Sequence, residues 1–231
     1  MVLEILYQDD HLVGINKPPG LLVHRSPIAK DAEEFAVQLL RDQLEMHVYP
    51  AHRLDRKTSG VLLFALEKDI HRALNLQFAE KTVSKTYYAI VRGFTPDAGT
   101  IDYPLRREDG KEQDAVTHFE CVAKAELDVP FGKHATSRYS LVKIRPETGR
   151  MHQIRKHFAH ILHPIIGDRP HGCNKQNKLF KEKWNLMEMM LHARELTFIH
   201  PQTNIPVTLK ADFPEEFCRI MALMGFEMPG A

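Results

Sequence analysis

The stretch Leu3–Gly20, LEILYQDDHLVGINKPPG, holds two apolar runs on either side of a polar Gln8-Asp9-Asp10 turn and stops at Pro18-Pro19-Gly20. That is the pattern of a β-hairpin, so the chain is expected to open directly with sheet. Working outward, Asp31–Met46 carries Phe35, Leu39, Leu40 and Leu44 at helical spacing, with Asp31 as the expected N-cap. A loop containing Tyr49-Pro50 leads to a short apolar strand, Val61–Ala65, and Lys68–Lys81 predicts a second helix with Ile70, Leu74 and Phe78 on one stripe. Lys85–Arg92 (KTYYAIVR) alternates as a strand does, with Lys85, Tyr87, Ala89 and Val91 on one face. Strands over Ala115–Val122, Arg138–Ile144 and Arg194–Ile199, a helix over Met151–Leu162 and a closing helix from Pro214 to Met224 complete the pattern. Strands and helices do not alternate regularly, so the expected class is α+β: a mixed, largely antiparallel β-sheet core with flanking helices.

A chain of 231 residues, 43% hydrophobic and 26% charged, is that of an ordinary globular protein, and one domain over residues 1–231 is expected. The opening MVLEILYQDD has no basic leader and no apolar run approaches membrane-spanning length, so a cytoplasmic chain with no membrane partner is expected. Cys121, Cys173 and Cys218 lie far apart without paired spacing, which suggests neither a disulfide framework nor a zinc knuckle. The net charge is only +1, but it is unevenly spread. Residues 1–50 hold four Lys/Arg against eight Asp/Glu, whereas residues 143–183 hold ten against three, with His152, His157, His160, His163 and His171 added. The basic half could face phosphates; a merely solvated face is the plain alternative.

His52-Arg53-Leu54-Asp55-Arg56-Lys57-Thr58-Ser59-Gly60 sets one carboxylate among three cationic side chains. Positive neighbours favour the anion, the form suited to nucleophilic or proton-abstracting work, although a surface loop with a local ion pair reads the same way. The histidines around Met151–Gly167 invite a metal, but no cysteine or carboxylate lies between those residues to complete a site, so no metal is expected. Phosphate-loop, dinucleotide, HExxH and GxSxG motifs are missing, which weakens hydrolase and dehydrogenase readings.

HRLDRKTSG resembles the signature loop of the RluA family of RNA pseudouridine synthases. Lys85-Thr86-Tyr87 and Glu147–Arg155 (ETGRMHQIR), continuing to His163-Pro164-Ile165-Ile166-Gly167-Asp168, match the same family in order. The resemblance implies that Asp55 is the catalytic aspartate, that Tyr87 stacks on the flipped uracil, and that Arg155 pairs with the aspartate, Arg150 being the second choice. It also implies that Arg53 enters the RNA helix as the target base leaves. Arg53, Arg150, His152 and Lys156 are the expected RNA-binding residues. The partner implied is RNA, most of all tRNA, because Gly20–Ser26 and the polar segment after His171-Gly172 look most like the branch that modifies uridine 65 of tRNA. Isomerisation consumes nothing, so no small-molecule cofactor is implied. A monomer without an S4-type RNA-binding extension is expected, since the first hairpin begins at the third residue. A ribosomal-RNA synthase, a non-catalytic RNA-binding module and, more weakly, a carbohydrate hydrolase stand as alternatives.

Overall fold

Asp9 makes the opening hairpin. Strands β1 (Glu4–Gln8) and β2 (Leu12–Lys17) pair antiparallel, and the Asp9 Oδ1 accepts the backbone N–H groups of His11 and Leu12 at 2.8 Å each. There follow α1 (Ala36–Leu44), β3 (Tyr49–Pro50), β4 (Ser59–Ala65), α2 (Lys68–Ala79), β5 (Ser84–Arg92), β6 (Ala98–Asp102), β7 (Leu105–Arg106), β8 (Glu112–Gln113), β9 (Val116–Leu127) and β10 (Ser137–Pro146). The chain closes with α3 (Gln153–His160), α4 (Asn174–Trp184), β11 (Leu191–Ile199), β12 (Pro206–Lys210) and α5 (Glu215–Leu223). This computed structural model describes residues 1–25 and 33–229, so the expected cap Asp31, like Ser26, lies outside the described residues. Within them α1 begins later than its pattern predicts, after Phe35, which is extended and buried.

The chain divides into two compact units, Met1–Lys85 with Ala193–Asp212, and Thr86–His192 with Phe213–Ala231. In the first, the strand order is β1-β2-β4-β11, with β12 on β11 and β3 on β4. Strand β4 is buried at every position: Val61, Leu63 and Ala65 join Leu12, Ile70, Leu74, Leu196 and Phe198 in one cluster, while Leu62 and Phe64 are fully buried as well. A strand covered on both faces needs an unbroken apolar run, and VLLFA supplies it.

In the second unit the order is β5-β10-β9-β6, all antiparallel. Tyr88 and Ile90 of β5 pack with Tyr139, Leu141, Phe180, Phe213 and Phe217, against α4 and α5. Ala89 and Val91 pack with Val142, Ile144, Ile154 and Phe158, against α3. Strand β9 serves both clusters through a bulge: Val142 pairs with Cys121 but Leu141 with Ala123, leaving Val122 as the extra, exposed residue. One inserted residue turns the odd positions over, so Phe119 faces the α3 cluster and Ala125 the other. Sequence periodicity misses α4, β6, the β7–β8 pair and β12. The strands are short and largely exposed, and α4 buries only Gln176 and Phe180, too narrow a stripe to stand out among its lysines.

Candidate active site

The loop His52–Gly60 is held from beneath by a lysine. Lys17, at the end of β2, is wholly buried, and its Nζ donates to the carbonyls of Pro18 at 2.8 Å, Leu21 at 2.9 Å and Arg56 at 3.2 Å. Three acceptors match the three N–H bonds of an ammonium. Burial drags this lysine down to about 7, while the Asp55 carboxylate pushes it back up. A second tie joins the same loops: Gly20 N–H donates to the Arg56 carbonyl at 2.8 Å and Arg56 Nε to the Gly20 carbonyl at 3.1 Å. At the loop's start, His52 stacks on Phe78 and accepts the Leu63 N–H at Nε2. Burial, with Lys85 nearby, drives that imidazole down to about 3, so it is a neutral acceptor at working pH. At the loop's end, Gly60 has φ +110, and a Cβ there would stand 2.1 Å from the Ala193 carbonyl oxygen. Only glycine passes that crossing. Asp55, half-buried, thus projects from a backbone pinned at both ends, next to a buried cation, while Arg53 beside it is exposed.

In the second unit, Tyr87 is half-buried on β5, paired with Ile144 and packed on the cluster that includes Ile154 of α3. The start of α3 is built by Gln153. Its Oε1 accepts Thr148 Oγ1 at 2.6 Å and Arg150 N–H at 3.0 Å, and its Nε2 donates to Val116 O and Thr117 Oγ1 at 3.0 Å each. Two residues on, Arg155 is buried and grips Asp168 bidentately, Nε to Oδ2 at 2.9 Å and Nη2 to Oδ1 at 2.8 Å. Two of its donor groups therefore serve Asp168, a residue to which the sequence assigned no role although it closes the third matching motif. Of the expected RNA contacts, Arg150 Nε donates to the Asp114 carbonyl, Lys156 Nζ to the Arg106 carbonyl at 3.5 Å, and His152 Nδ1 meets His171 Nε2 at 2.9 Å. Among the described residues no three His, Cys, Asp or Glu side chains converge as metal ligands would.

Asp55 thus belongs to the first unit and Tyr87 and Arg155 to the second. Lys17 and His52, the supports of the loop, carried no site role in the sequence. The signal for Lys17 was a lone lysine inside an apolar hairpin strand.

The sequence profile of the RNA pseudouridylate synthases matches residues 11–160, running through both units. This chain belongs to the RNA pseudouridylate synthase family. Its enzymes isomerise uridine in RNA to pseudouridine. The tRNA pseudouridine synthase C of Vibrio cholerae is 46% identical over 237 residues, spanning 98% of this chain and 97% of its own. That of Yersinia pestis is 45% identical and spans 97% and 92%. Among solved structures, human RNA pseudouridylate synthase domain containing 4 superposes with a TM-score of 0.75 at 27% identity, covering 98% of this chain and 95% of its own. The pseudouridylate synthase fold is therefore the α+β arrangement described above.

Proposed function

We propose that this pseudouridine synthase acts on tRNA, at uridine 65, with Asp55 as its catalytic carboxylate, Tyr87 as the ring under the extruded uracil and Arg155 as the guanidinium that orients the aspartate. The reading rests on one observation: Asp55 stands on a loop whose backbone is tied to the amino group of a buried lysine. Such preorganisation is what a reacting group needs, since a misplacement of about 1 Å can reduce the rate roughly a hundredfold. The relatives named tRNA pseudouridine synthase C support the choice of RNA.

Substrate and product are isomers, so the N1–C1′ bond that breaks is balanced by the C5–C1′ bond that forms and by the C5 proton that leaves as N1 gains one. The Asp55 carboxylate can attack C1′, add to uracil C6 or take a proton to give a glycal. A ring stacked on the freed uracil keeps both fragments together, and stacking worth about 1–3 kcal/mol offsets part of the cost of flipping. Arg53, Arg150, His152 and Lys156 are proposed to meet the RNA backbone. A single catalytic domain over 1–231, working as a monomer in the cytoplasm, belongs to the same proposal, and the profile match that runs through both units supports it.

The test is tritium release from C5-labelled uridine in tRNA and ribosomal-RNA transcripts. The natural protein is expected to release label from the tRNA, at the position mapped as uridine 65, and Asp55→Asn to release none. Equal release by both proteins would remove Asp55 from the mechanism, and release from ribosomal RNA alone would reassign the substrate.

A further inference from the structure

A basic cavity lies within the Thr86–His192 unit, apart from every residue assigned above. Residues 129–137 fold back on themselves: Phe131 and His134 exchange both backbone hydrogen bonds, Gly132 has φ +63, and the Ser137 hydroxyl donates to the Val129 carbonyl at 2.8 Å. This turn walls a cavity of about 290 Å³ together with Arg92 at the end of β5, Arg138 at the start of β10 and Gln176 of α4. Gln176 is 1% exposed, and its amide donates to the Tyr139 hydroxyl.

The charge is one-sided. Arg92 sits 5.3 Å above the Phe131 ring, and among the described residues it forms no ion pair. Arg138 sits 5.1 Å above Phe94 and holds Glu126 through Nε at 3.3 Å; Glu126 also accepts the Thr136 hydroxyl. No Asp or Glu lines the cavity, whereas His134 and Thr136 do, and Lys133 is exposed at the turn. A guanidinium whose face rests on a ring is oriented with its edge N–H groups turned outward to fork an anion's oxygens, although at Arg138 the Nε edge is already engaged by Glu126. The volume exceeds one phosphate and admits a phosphate with its ribose.

We propose that this cavity is a phosphodiester subsite for the RNA substrate, in which Arg92 and Arg138 clamp one or two backbone phosphates away from the reacting uridine. The inference rests on the reading of the protein as an RNA-modifying enzyme and adds a positioning contact to it. Phosphate contacts set register and affinity and do not act on the reacting bonds.

The experiment compares the natural protein with the Arg92→Gln/Arg138→Gln double variant on whichever transcript, tRNA or ribosomal RNA, the natural protein modifies. Binding is followed by fluorescence anisotropy from 50 to 200 mM salt and turnover by tritium release. The double variant is expected to bind about tenfold more weakly, with its salt slope shallower by about 0.7–0.9 per guanidinium, and to show a raised KM with kcat retained. Arg72→Gln, the same charge change on α2, is expected to alter neither. A folded double variant with natural affinity and slope overturns the subsite while leaving the proposed function standing. An equal loss in Arg72→Gln reduces the effect to net charge and overturns it too. A natural protein that neither binds nor modifies either RNA sinks the function and the subsite together, whereas inactive Asp55→Asn that still binds through Arg92 and Arg138 supports both.

Discussion

Lys17 shows how one buried amine can organise the loop that carries Asp55. An ammonium withdrawn from water is tolerated only where polar partners replace its hydration, and the carbonyls of Pro18, Leu21 and Arg56 do so here. One of the three, Arg56, is the neighbour of Asp55, so the proposed chemistry and its support are coupled through that carbonyl. Lys17→Met should strip the Pro18 and Leu21 carbonyls of this donor while the Arg56 carbonyl keeps the Gly20 N–H, destabilise the protein by about 2–4 kcal/mol and lower kcat at least about tenfold, with RNA affinity nearly unchanged. An unaltered kcat in a folded variant would contradict that coupling. His52 makes a pH prediction. Its folded-state value of about 3 lies below its ordinary 6.5, so the native state resists protonation that the unfolded chain accepts. Stability is full above about pH 6.5 and is lost progressively as pH falls towards 3, with His157 and His171, also lowered by burial, adding to the slope. Melting temperatures measured from pH 8 to pH 5 should therefore fall on acidification, less steeply in His52→Gln; identical slopes would exclude His52 as a source.

Helix α3 owes its position to polar groups at both ends of its first turn. Gln153 reaches back to β9 through Thr117, and His157, one turn on, meets the same hydroxyl at 2.9 Å and the Tyr103 carbonyl at 3.0 Å. The Arg155–Asp168 pair then ties the helix to the turn after His163, which is itself bound to α4 because Gly167 N–H donates to Asn177 Oδ1 and Asn177 Nδ2 to the Asp168 carbonyl. Breaking a buried ion pair from one side leaves an uncompensated charge, so Asp168→Ala should cost about 3–5 kcal/mol in denaturant unfolding. A loss below about 1 kcal/mol would show that Arg155 finds another partner at no penalty. Strand β4 makes a similar point with backbone alone. Gly60 is the position of the His52–Gly60 loop that no side chain can replace, because the Ala193 carbonyl occupies the space a Cβ would need.

Over the whole molecule, charge matters by its distribution. The sum of +1 conceals ten Lys/Arg against three Asp/Glu in residues 143–183. The RNA binding proposed above should release counterions, so log Kobs for a tRNA transcript should fall with log salt at a slope of about −3 or steeper. A slope near zero, measured on the natural protein, would show that net rather than local charge governs binding.

What the sequence determined by itself was whatever is local: the opening hairpin, the apolar runs of β4 and β5, helices α2, α3 and α5, and the identity of Asp55, Tyr87 and Arg155 as the residues carrying the motifs. These follow from periodicity and from short strings of side chains, which a linear reading detects directly. Tertiary structure alone decided that Lys17 bonds to a carbonyl 39 residues away, that Arg155 clasps Asp168, that Val122 turns β9 over, and that Arg92 meets Phe131. The reason is physical: a buried polar group takes its partner from whatever backbone or side chain the packed core brings within hydrogen-bond reach, and separation along the chain carries no record of that meeting.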